Sequence, residues 1–137
     1  MRLLLAAVGR WKSGPERDLF DHYAARITDP PELRQVVEKK PLRGPELKRR
    51  EAALLLAQVP VGAVVVALDG GGRQLSSARF ADRLGRWRDE GVRDIAFLIG
   101  GADGLDESVL GKAGLVLSLG PMTWPPLLVP GLLAQQS

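Results

Sequence analysis

Three apolar runs in this sequence end in glycine, and the loops they open are where binding or catalysis would be sought. Ala67-Leu68-Asp69-Gly70-Gly71-Gly72 follows Ala63-Val64-Val65-Val66, and Phe97-Leu98-Ile99 runs into Gly100-Gly101-Ala102-Asp103-Gly104. The third run, Leu115-Val116-Leu117-Ser118, leads to Leu119-Gly120-Pro121-Met122-Thr123-Trp124-Pro125. In an α/β sheet, ligands sit beyond the carboxyl ends of parallel strands, where glycine lets them reach backbone N–H and C=O groups. One such loop alone reads as a sharp turn. Three on one sheet edge predict a small-molecule pocket. Asp69 and Asp103 are its acid–base candidates, although Asp69 could equally fix its own turn and Asp103 could brace the glycine loop. The single histidine, His22, lies in the amphipathic stretch Asp18–Tyr23 and reads as a surface or cap residue. There is no cysteine, which excludes disulfides and thiolate metal sites, and no metal is expected.

The elements that must position these loops alternate along the chain. Met1–Val8 reads as a buried strand; its apolar run is too short for a signal peptide and leads into Gly9-Arg10-Trp11-Lys12 in place of a small-residue cleavage site. Ser13-Gly14-Pro15-Glu16 predicts a helix start, with the helix running to about Ile27 before Asp29-Pro30-Pro31 stops it. Leu33–Glu38 has partial strand character. Pro45 opens a helix to about Gln58, with Leu47, Ala53, Leu54 and Ala57 on its apolar side and basic residues opposite. Strands follow at Ala63–Leu68, Asp94–Ile99 and Leu115–Leu119. Between them lie a helix capped by Ser76 or Ser77 and reaching Glu90, and a short one from Asp106 to Lys112. This alternation predicts a single α/β domain over residues 1–137, its mainly parallel sheet sandwiched by helices.

The net charge is only +3, but it is unevenly spread. Lys39, Lys40, Arg43, Lys48, Arg49 and Arg50 form one group, and Arg83, Arg86, Arg88 and Arg93 another. Such clusters can neutralise phosphates, or can be solvated helix faces balanced by neighbours such as Glu46 and Glu51. Nothing in the sequence approaches a membrane span, and a cytoplasmic location is expected.

Leu68-Asp69, the segment 98–104 and the segment 117–125, taken together, resemble the RlmH type (also called YbeA) of SPOUT methyltransferase. The likeness runs from the Met1–Gly9 strand, through Leu84-Gly85-Arg86-Trp87, to about Ala134. It implies a sheet whose carboxy-terminal half is tied in a trefoil knot, an exception to ordinary chain topology. S-adenosylmethionine would be held bent among the knot loops of a homodimer, and the methyl group would go to N3 of a pseudouridine in large-subunit ribosomal RNA on assembled ribosomes. Carried over by position, the cofactor contacts are Leu68, Gly101, Gly120, Pro121, Met122, Thr123, Trp124 and Pro125. Leu68, Leu119, Met122 and Trp124 could frame an adenine slot.

The sequence also departs from that pattern. The family ends in a long helix and a His-Pro-Tyr-His-Arg type motif, neither of which is reached by Ser137; Pro126 and Pro130 stand where the family has histidine and arginine. N3 of pseudouridine becomes a good nucleophile only as its proton leaves, so loss of positioned basic groups should slow transfer more than it weakens cofactor binding. A proline inside a helix removes a hydrogen bond and clashes with the preceding turn, so a shallower knot and a weaker dimer are expected. The alternative is a non-catalytic module that binds S-adenosylmethionine or ribosomal RNA. A dinucleotide site is disfavoured, since the segment 100–104 lacks G-x-G-x-x-G spacing.

Overall fold

The computed structural model describes residues 1–9, 32–101 and 103–118. The expected helix at 15–27 with His22, Ala102 of the glycine loop, Leu119, the contact segment Gly120–Pro125, Pro126, Pro130 and the knot lie outside the described residues.

The described elements are β1 (Arg2–Val8), β2 (Glu32–Val36), α1 (Gly44–Leu56), β3 (Val64–Arg73), α2 (Ser77–Asp89), β4 (Asp94–Ile99), α3 (Glu107–Leu110) and β5 (Leu115–Leu117). The strands form one sheet in the order β2-β1-β4-β3-β5, and every pairing is parallel. Parallel strands need cover on both faces, which is why their sequences are nearly unbroken apolar runs. Successive side chains alternate between two cores. On one face Leu3, Val66, Ile95, Leu115 and Leu117 pack with Phe80 and Trp87 of α2. On the other, Leu4, Ala6, Val65, Ala67, Ala96 and Leu98 pack with Ala52 and Leu55 of α1 and with Leu105 and Val109. Each large side chain buried in this way contributes about 1.5–3 kcal/mol relative to exposure. The Phe80 ring meets Phe97 edge-on at 6.2 Å, fixing α2 against β4.

Local chemistry sets the helix ends. Pro45 and Glu46 occupy the first turn of α1, where a missing N–H costs nothing and a negative charge suits the helix dipole. Ser76 caps α2 by accepting from the Arg79 N–H at 3.1 Å. Gly91, at φ +87°, closes that helix, and the Val92 N–H returns to the Trp87 carbonyl. Asp106 caps α3 by accepting from the Ser108 N–H at 3.1 Å.

The main difference from the sequence expectation lies in β3. The run Asp69-Gly70-Gly71-Gly72 is not a terminal loop, because Leu68 and Arg73 both pair with Leu117 of β5. The chain bulges outward and then rejoins the same neighbour, with the Ser118 N–H donating to the Arg73 carbonyl at 2.9 Å. Gly72 makes the return possible: a Cβ there would lie 2.7 Å from the Val116 carbonyl. Smaller shifts occur elsewhere, as β2 ends at Val36 and β5 at Leu117. Replacing Gly72 with alanine should cost about 1–3 kcal/mol in urea unfolding through overpacking. Gly70→Ala, with nothing within 4 Å of the new methyl group, should stay within about 0.5 kcal/mol of wild type. Equal shifts for the two variants would contradict the packed return.

Candidate functional site

Strand register decides what meets at the carboxyl edge. Leu68 of β3 lies opposite Ile99 of β4 on one side and Leu117 of β5 on the other. The Asp69 bulge therefore opens level with the points where β4 ends at Gly100 and β5 at Ser118, so the bulge, the second glycine loop and the root of the third share one rim. Leu68 is partly exposed there, as an apolar wall would be.

The β4 loop is closed by backbone on backbone. The Gly104 N–H donates to the Gly101 carbonyl at 3.0 Å, and Gly104 itself adopts φ +82°, open to glycine at little strain. Gly100 approaches so closely that a Cβ on it would stand 2.5 Å from the Gly104 oxygen. Gly101 has different neighbours. A Cβ at that residue would lie 3.1 and 3.2 Å from the two carboxylate oxygens of Glu51 and 3.3 Å from a Val8 methyl. Glu51 reaches across from α1, so Gly101 is framed by the end of β1, α1 and its own loop.

Both sequence-derived carboxylates are at this rim. Asp69 accepts the Gly71 N–H at 3.0 Å, fixing its turn, while its other oxygen lies 3.6 Å from the Cβ position of Gly104. Asp103 is exposed at the loop tip. Glu51 joins them, although in the sequence it stands out only as balance for the basic cluster. A signal was available: Glu51 precedes the fully buried Leu55 by one helical turn, and so lies along the stripe that faces the sheet.

The charges around the rim are in different states. Arg50 pairs with Glu38 at 2.6 Å, and the Lys40 N–H and that guanidinium hold the Glu38 carboxyl below its ordinary range. Asp106 is held low by the Ser108 hydroxyl and amide, with Lys48 and Arg49 adding attraction. Glu51 moves the other way. Burial raises its pKa, the negative charge of Asp103 adds to the rise, and no cation or hydrogen-bond donor meets it among the described residues. Lys39, Lys40, Arg43 and Arg49 present exposed positive charge beside the same rim. Among the described residues no group of three or more acidic or imidazole side chains could hold a metal ion, and no helix is long and apolar enough to cross a membrane.

The raised carboxyl makes a stability prediction with a definite sign. The folded chain holds the Glu51 proton more tightly than the unfolded chain does, so ionisation removes stability as pH rises from the ordinary carboxylate range through the folded pKa. Glu51→Gln should therefore have the higher Tm at neutral pH, with the advantage fading below that range. Calorimetry across pH checks this, and a variant less stable than wild type at pH 7 would contradict it.

A family model described as "Predicted SPOUT methyltransferase" matches residues 1–136. Among curated proteins the chain is 60% identical over 136 residues to "Ribosomal RNA large subunit methyltransferase H" of Paramagnetospirillum magneticum, covering 99% of this chain and 90% of the relative. Proteins of the same name from Rhodospirillum centenum and Rhodospirillum rubrum are 58% and 52% identical, with the same coverage of both chains.

Proposed function

Because the chain belongs to the SPOUT methyltransferase family, we propose that it transfers a methyl group from S-adenosylmethionine to N3 of a pseudouridine in large-subunit ribosomal RNA. The observation that carries this reading is the convergence of Leu68 and Gly101 on one sheet edge, at positions where the family's cofactor contacts fall. The residues fit such a ligand. Gly101 keeps its backbone accessible at the edge, with Val8 and Glu51 standing where a side chain would be, and Leu68 offers partly exposed apolar surface at the same edge. Leu68, Gly101 and Gly120–Pro125 would hold the cofactor, which supplies an electrophilic methyl group when bound.

The protein then has to align the acceptor nitrogen and take its proton. Asp69 already serves as acceptor in its own turn, which leaves Asp103, exposed at the loop tip, as the better placed of the two carboxylates. Lys39, Lys40, Arg43 and Arg49 would neutralise RNA phosphates beside the pocket. The reading carries with it a homodimer acting in the cytoplasm.

Incubating the protein with methyl-labelled S-adenosylmethionine and ribosomes lacking the modification should label large-subunit RNA, with the label recovered as 3-methylpseudouridine. Label in another nucleoside, or none, would overturn the reading; cofactor binding without transfer would instead identify a non-catalytic binding module. Replacing Lys40 and Arg49 with alanine should weaken ribosome binding and flatten its salt dependence by about one unit of slope for each phosphate no longer neutralised, leaving cofactor affinity unchanged. An unaltered salt slope would place the RNA elsewhere.

A further inference from the structure

We propose that Glu51 is the residue by which this site prefers a cationic ligand to its neutral counterpart, S-adenosylmethionine over S-adenosylhomocysteine. The inference rests on the reading of the Leu68–Gly101 rim as the cofactor pocket. Its own support is the state of the acidic groups around that rim. Asp69 is spent on the Gly71 amide, Asp106 on Ser108 and Glu38 on Arg50 and Lys40. Asp103 is exposed, where solvent screens it. Glu51 alone of these is partly buried and without a cation or donor among the described residues, and both of its oxygens pack against Gly101, 3.1 and 3.2 Å from where a Cβ would stand.

A carboxylate in that state lacks compensation that a positive ligand would supply. The two ligands differ there by one charge. A sulfonium centre cannot shed its charge by losing a proton and has no N–H to donate, so the protein can recognise it chiefly by placing negative charge beside it. The thioether left after transfer is neutral and gains nothing from Glu51. The same carboxylate therefore favours loading of the donor and release of the spent product.

Titration calorimetry on the wild-type chain and on Glu51→Gln, with S-adenosylmethionine, S-adenosylhomocysteine and sinefungin, tests this. Sinefungin places an ammonium group near the position of the sulfonium methyl. Glu51→Gln should weaken the two cationic ligands about tenfold and leave the neutral one within about twofold. Glu51→Asp should restore part of the preference. Equal loss for all three ligands, or none for any, overturns the assignment while leaving the pocket reading intact. Failure of wild type to bind any of the three overturns both.

Discussion

Gly100 stands against the carbonyl of Gly104 at a distance no side chain would permit, and the geometry of the rim depends on that contact. It folds the end of β4 back on itself, so that Gly101 is presented to α1 and Asp103 is carried to the tip. With a larger residue the loop would open, and neither the Glu51 carboxylate nor Val8 would flank Gly101. β4 lies in the middle of the sheet, between β1 and β3, and is held on both faces by Ile95, Phe97, Ala96 and Leu98. A tight turn leaving a rigid strand is well positioned to fix a ligand, because the strand does not give.

Much of this was legible in the residues themselves. The runs Val64–Leu68 and Asp94–Ile99 are apolar on both parities, which only strands covered on both faces require. Pro45, Ser76 and Asp106 fix helix starts through chemistry within one turn of chain, so those boundaries needed no tertiary information. Other features depend on distant partners. Gly70-Gly71-Gly72 has the composition of a loop, and only pairing with Leu117 reveals that the chain returns to the sheet at Arg73. Glu51 reads as one charge among many on a basic helix, and its role depends on a glycine about fifty residues away. Local patterns report local forces, and the site is assembled by register.

The rim also separates charge by depth. Exposed lysines and arginines lie outside it, on α1 and the segment before it, while Glu51, which meets no cation or donor among the described residues, lies within. In the proposed reading these suit two partners of opposite sign, a polyanionic RNA docking on the outside and a sulfonium nucleotide inside. Arg50 is engaged by Glu38, in the segment before the helix, and as a neighbour in sequence it points away from Glu51 on the helix surface.

The return of β3 at Arg73 ties two regions into one mechanical unit. Since Leu68 and Arg73 flank Leu117 and the Ser118 amide is bonded to Arg73, the Asp69 bulge is clasped at both ends by β5, the strand from which the third loop departs. Neither margin can swing away without unfastening the other. Amide exchange at Ser118 would register the opening of both, and a pull on the chain beyond it would be felt at Asp69.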